Sequence, residues 1–139
     1  MATRSRIGYV NEAGSIVSAY CHYDGYPQHN GKILLKHYNT IDKVRELVIE
    51  GDMSCLRPTC RKVEGHTFDN PDGNVTVYYG RDCGEKNVEP KVSKTKQDLV
   101  DLADSVWGEY VYLFENGKWT YSSVGDASFA DLTDEVCSA

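Results

Sequence analysis

The sequence predicts an α+β domain, an antiparallel sheet of about five strands with two or three helices packed on one face. Three observations lead to it. Short runs of apolar residues alternate with polar ones at the period of a strand. Two longer segments carry apolar residues at helical spacing. Asn-Gly and Asp-Gly pairs punctuate the chain between them.

The elements follow in order. Residues 6–10, Arg6-Ile7-Gly8-Tyr9-Val10, read as a strand, and Asn11 to Gly14 supply turn chemistry. Residues 15–23 read as the return strand of a hairpin. Alternation places Ile16, Ser18, Tyr20 and His22 on one face and Val17, Ala19, Cys21 and Tyr23 on the other, which we expect to be the core face. Asp24-Gly25 breaks this strand, and Tyr26-Pro27 sets an extended bend. A short helix is expected from Asn30 to Tyr38, with Ile33 and Leu34 inward. Asn39-Thr40 caps a second helix running to about Glu50. Its apolar stripe is Ile41, Val44, Leu47 and Val48, and Gly51 ends it. Residues 52–73 read as a long irregular loop, functional or mobile. Residues 74–79 form a strand, and 80–94 a second polar connection. Thr95 and Asp98 make a capping box for a helix bearing Leu99, Leu102, Ala103 and Val106. Residues 109–114 and 119–124 form a hairpin around Asn116-Gly117, the pair favoured in type I′ turns.

The chain has 139 residues, which fits one domain. We read residues 1–124 as a single α+β domain and 125–139 as an acidic C-terminal tail or short helix, because Asp126, Asp131, Asp134 and Glu135 stand there without a basic residue. A chain this long buries roughly two-thirds of its unfolded surface, so it needs no disulfide or metal to hold a core. Net charge is −6, which argues against general affinity for nucleic-acid backbones. Ten tyrosines suit ring-lined pockets or interfaces, and equally a β-rich sheet.

Cys21, Cys55, Cys60, Cys83 and Cys137 are odd in number, and Met-Ala-Thr-Arg-Ser-Arg leads straight into a strand pattern. The expectation is therefore no signal peptide and reduced thiols in a cytoplasm. Cys55, Cys60 and Cys83 are a minor zinc option that lacks the usual paired Cys-x₂-Cys units, so no metal and no cofactor is expected. No apolar run approaches the roughly 20 residues that span a bilayer.

The candidate site is the stretch from Tyr20 to Tyr38, where a strand end, a Gly-rich turn and a helix start gather polar and aromatic groups. The expected wall is the face of Tyr20 and His22, joined by Asp24, Tyr26 and Asn30 from the turn and His37 from the helix. Cys21 and His22 point to opposite faces, which separates a thiol from its neighbouring base. A metal site of His22, Asp24 and His37 has no familiar ligand spacing to support it. Arg4 and Arg6 share a face and could hold a phosphate or carboxylate. Arg57 and Arg61 offer a second cationic group. The rings of Tyr20, Tyr23 and Tyr26 could stack a nucleobase. The bland alternative stays open: a turn at Asp24-Gly25, a helix cap at Asn30, a half-buried strand histidine, solvated arginines and rings that pack the sheet.

Thr3-Arg4-Ser5-x-Ile7, Tyr20-Cys21-His22-x-Asp24-Gly25-Tyr26-Pro27, Asn30-Gly31, His37-Tyr38 and Tyr112-Leu113-Phe114-x-Asn116-Gly117-Lys118-Trp119 resemble a family of small phage and prophage proteins. The likeness covers both ends of the chain and leaves out roughly 52–95. It brings no established chemistry. What the resemblance implies is context: a phage protein in the cytoplasm of a bacterial host, in the company of counter-defence factors that sequester or degrade nucleotide second messengers. By analogy the expected activity is sequestration of a cyclic nucleotide or cyclic ADP-ribose type signal, with Arg4, Tyr20, His22, Asp24, Tyr26, Asn30, His37 and Arg57 binding the ligand. The partner is then a small nucleotide, and a homo-oligomer is open. One alternative is a phosphodiesterase in which His22 or His37 is acid–base and Asp24 orients it. Another is an acidic protein that inhibits a host enzyme by contact.

Overall fold

A computed structural model describes residues 2–123 and 128–138. Eight strands are formed among them: β1 (Ser5–Val10), β2 (Ile16–Cys21), β3 (Met53–Cys55), β4 (Val77–Tyr78), β5 (Lys91–Ser93), β6 (Tyr110–Glu115), β7 (Lys118–Ser123) and β8 (Ala130–Asp131). The helices are α1 (Lys32–His37), entered through a wider turn at Pro27–Gly31, then α2 (Ile41–Ile49), α3 (Tyr79–Cys83), α4 (Lys96–Asp104) and α5 (Asp134–Ser138). None is long and apolar enough to cross a membrane.

The α+β class is as expected. The sheet departs from expectation in pairing and size. Its order is β4-β3-β2-β1-β6-β7-β8, with β5 also on β2. β1 runs parallel to β6 and β2 parallel to β3, so the sheet is mixed rather than antiparallel, and it has more strands than five. Alternation of side chains is the same in either pairing direction, which is why periodicity did not reveal the parallel neighbours. The added strands β3, β5 and β8 are two or three residues long, too short to show a period.

Local rules hold where they are strong. Thr40 and Thr95 are N-caps, their hydroxyls accepting from the N–H groups of Lys43 and Asp98. Asn116 (φ 55°) and Gly117 (φ 76°) both take positive φ between β6 and β7, as a type I′ turn requires.

Helices cover both faces of the sheet, not one. On the first face Ile7, Ala19, Cys21, Met53, Tyr112 and Phe114 meet Leu34, Val44, Leu47 and Val48 from α1 and α2. Leu132 and Cys137, from the C-terminal segment, are buried in the same core. Residues 124–127, which include Asp126 and the boundary expected at 124–125, lie outside the described residues. On the second face α4 lays Leu99 and Ala103 over Ile16, Val111 and Leu113. Full burial of Leu99 alone contributes about 1.5–3 kcal/mol. The face expected to look outward, that of Ile16, Ser18, Tyr20 and His22, is therefore buried in its first half. Tyr20 and His22 remain half-buried.

Candidate functional site

β2 has a gap along its outer edge. β5 pairs with Ile16 to Ser18 and β3 pairs at Cys21, so the N–H of Tyr20 has no strand opposite it. It donates instead to Oδ1 of Asp52 at 3.1 Å. Burial raises the Asp52 carboxyl above its ordinary value, opposed by that N–H and by the charge of Arg6.

The pleat then sets Tyr20 and His22 side by side. The Tyr20 hydroxyl lies 2.6 Å from Nδ1 of His22, and the His22 ring meets the edge of Tyr23 at a centroid distance of 4.5 Å. Burial pushes the Tyr20 phenol up to about 12, with Arg4 pulling the other way. Burial and then the charge of Arg4 lower the His22 imidazole. Both partners are therefore uncharged at neutral pH. Nε2 of His22 has no hydrogen-bond partner among the described residues.

Arg4 is the cation of the site. Its Nη1 donates to the carbonyl of Val106 at 3.1 Å, and no carboxylate of the described residues pairs with it. Tyr79, at the start of α3, is near enough to Tyr20 to oppose its ionisation, and Tyr23 does the same to Tyr79. Phe68 lies 5.8 Å from the Tyr79 ring. The result is two tyrosine rings against an imidazole, with Arg4 near enough to act on Tyr20 and His22 and Tyr79 near enough to act on Tyr20. Such a surface offers stacking faces and one strong anion contact.

The other expected residues go elsewhere. Asn30 is fully buried on the first face, where its Nδ2 lies 3.3 Å from Ser5 Oγ and 3.4 Å from Cys21 Sγ. Its Oδ1 is 2.9 Å from Nδ1 of His29. The turn into α1 aims this side chain at the core, so it holds the fold and does not line the site. Asp24 adopts φ 57° and receives a weak contact, 3.4 Å, from the Tyr26 hydroxyl. His37 borders a different depression of about 370 Å³ with Lys43, Glu46 and Arg61, the last two ion-paired at 2.5 Å. Arg57 donates from Nη1 to the Asp72 carbonyl. Arg6 is 3 % exposed, its Nε and Nη2 spent on Ser18 Oγ and Ser18 O at 2.7 and 3.0 Å. Arg4, Tyr20 and His22 are thus brought together, and Asn30, His37 and Arg57 are not.

This also corrects the catalytic grouping. Nδ1 of His22 is held by a phenol, not by the Asp24 carboxylate, and His37 is not part of the site. Cys21, expected on the opposite face from His22, is fully buried, and its thiol is pushed up to about 12 by that burial. No group of three or more His, Cys, Asp or Glu among the described residues is placed to hold a metal, which includes Cys55, Cys60 and Cys83.

A second polar cluster escaped sequence reading. His66 is buried in the loop between β3 and β4, with Nε2 3.1 Å from Oδ2 of Asp82. Its Nδ1 accepts the N–H of Asp72, which assigns the proton to Nε2. Asp82 also takes the Tyr78 N–H and a two-pronged contact from Arg81. Burial alone would raise its carboxyl, but Arg81, the Tyr78 N–H and His66 together hold it below its ordinary value. Arg81 further binds the carbonyls of Cys60 and Thr76. Both nitrogens of His66 are engaged, so the cluster is a clamp on the loop, not a catalytic pair. Only the adjacent Arg81-Asp82 hinted at it in sequence, and adjacency carries no information about a partner sixteen residues earlier.

The chain matches no protein-family model, no curated protein and no solved structure.

Proposed function

We propose that the protein binds and sequesters a small phosphorylated ligand with a planar ring, of the cyclic nucleotide or cyclic ADP-ribose type, at Arg4, Tyr20, His22, Tyr23 and Tyr79. The observation that carries this reading is Arg4, a guanidinium without a carboxylate partner among the described residues, near enough to act on the hydrogen-bonded pair of Tyr20 and His22. A phosphate on Arg4 gains charge-assisted hydrogen bonds, while stacking on a ring contributes roughly 1–3 kcal/mol per base.

Binding is proposed over cleavage because Nδ1 of His22 lies against the hydroxyl of Tyr20 and no carboxylate of the described residues pairs with the ring, so the carboxylate-oriented base of the phosphodiesterase alternative is not assembled. The biological setting proposed with this reading is a phage counter-defence role in a bacterial cytoplasm. It rests on the resemblance of the terminal motifs.

The test is depletion and release. The full chain is incubated with a panel of cyclic mononucleotides, cyclic dinucleotides and cyclic ADP-ribose isomers, then removed by filtration. A bound member disappears from the filtrate and returns intact after heat denaturation of the protein. A returned product of altered mass establishes the phosphodiesterase instead. Depletion of no member sinks both, and the acidic protein-contact reading takes their place.

A further inference from the structure

The end of α4 contains an unusual residue choice. The N–H of Gly108 donates to the Ala103 carbonyl at 2.8 Å and that of Trp107 to the Asp104 carbonyl at 3.1 Å. This is the Schellman pattern, and it requires a left-handed residue between the helix and its return. Glycine or asparagine ordinarily fills that position; here it is Trp107, at φ 62°. The glycine stands one place later, where a Cβ would come within 2.9 Å of the Ala103 carbonyl oxygen. The backbone conformation thus disfavours a bulky side chain at 107.

Packing returns nothing for it. Trp107 is 80 % exposed, more than any other large apolar side chain described. The second tryptophan, Trp119, is buried, and its Nε1 donates to the Tyr38 carbonyl. Trp107 is also not isolated from the site. Arg4 grips the same loop twice, through its guanidinium on the Val106 carbonyl and through its own carbonyl, which accepts the N–H of Glu109 at 2.7 Å. The same guanidinium acts on Tyr20 and His22. One cation therefore joins the Trp107 loop to the end of β2.

We propose that Trp107 is the stacking wall of the ligand site, its indole taking the heterocycle of a nucleotide whose phosphate lies on Arg4. The inference rests on the nucleotide reading above and adds to it which residue reads the base. An indole is the widest stacking surface available, and the guanidinium of Arg4, without a carboxylate partner among the described residues and bonded to the neighbouring Val106 carbonyl, supplies the complementary charge. A ligand that lacked the base would keep only the Arg4 contact.

The test uses calorimetry on the full chain with 3′,5′-cyclic AMP, cyclic di-AMP and cyclic ADP-ribose, with ribose 5-phosphate as the base-free control. Tryptophan emission is followed in parallel. A nucleotide that binds is expected to quench emission and to bind Trp107→Gly roughly 5- to 150-fold more weakly. Trp107→Phe keeps most of the affinity, ribose 5-phosphate binds wild type and Trp107→Gly alike, and the melting temperature of Trp107→Gly is not lowered. Nucleotide binding by Trp107→Gly at wild-type affinity, with emission of the wild type unquenched, overturns the assignment of Trp107 and leaves the nucleotide reading standing. Equal weakening in Trp107→Phe overturns it as well. If no nucleotide binds the wild type, the nucleotide reading falls and the wall falls with it.

Discussion

The hydroxyl of Tyr20 and Nδ1 of His22, two residues apart at the end of β2, lie 2.6 Å from each other, and both groups are uncharged at neutral pH. That pair, with Arg4 beside it, decides what the site can do. It presents rings and hydrogen-bonding edges in place of a carboxylate–imidazole dyad.

The first prediction concerns the charge of His22. Burial and Arg4 set its folded value below that of the unfolded chain, so the unfolded state binds the proton more readily. The contribution to stability is complete above the unfolded value of about 6.5 and falls away as pH drops below it. In an NMR titration the His22 ring protons should shift with a midpoint below about 6.5. Arg4→Gln should move that midpoint upward, since the repelling charge is gone. An unmoved midpoint would remove Arg4 from the site.

Asn30 should matter to stability and not to ligand. Asn30→Ala removes the partner of the buried Ser5 and Cys21 and of the half-buried His29. Loss of such contacts costs about 1–3 kcal/mol, which urea denaturation resolves as a lower midpoint at unchanged slope. Nucleotide affinity at a temperature where the variant is folded should equal that of wild type.

Asp82→Asn should loosen the loop between β3 and β4. It removes a buried charge that faces Arg81 and His66, and breaking such a pair typically costs about 3–5 kcal/mol. Limited proteolysis should cut the variant within 57–76 at protease levels that leave wild type intact. Because the folded Asp82 carboxyl lies below its unfolded value, wild type keeps this stabilisation above about pH 3.9 and loses it as pH falls further, through the folded value. Urea midpoints of wild type should therefore converge on those of the variant in acid.

Trp107→Gly should stabilise the isolated protein. Relief of the left-handed conformation is worth about 1–2 kcal/mol, against an entropic cost for glycine of roughly 0.5–1 kcal/mol. A net gain of up to about 1.5 kcal/mol would appear as a rise in melting temperature of a few degrees. A fall would mean that the indole makes contacts that stabilise the protein without ligand.

Much of the fold was legible because it is local. Asn116-Gly117 dictates a type I′ turn by its φ angles, and Thr40 and Thr95 cap helices through their own hydroxyls. Alternation along β2 correctly separated Cys21 from His22. The scattered part of the expected site had no such local code. Asn30 and His37 follow Tyr20 closely in sequence and Arg57 carries a suitable charge, yet helix rotation and loop path send them to the core, to a separate depression and to the Asp72 carbonyl. Trp107 was passed over because its conspicuous feature is a backbone angle, not a motif.

By itself, then, the sequence determined which residues share a face: Ile16, Ser18, Tyr20 and His22 on one side of β2, Ala19 and Cys21 on the other. The tertiary structure decided which part of each face is covered. α4 returns over β2 and β6 and makes Ile16 core, while Tyr20 and His22 stay half-buried beside Arg4. The reason is physical. Facing follows from the pleat, a property of two neighbouring residues, whereas coverage follows from where a helix eighty residues later comes to rest.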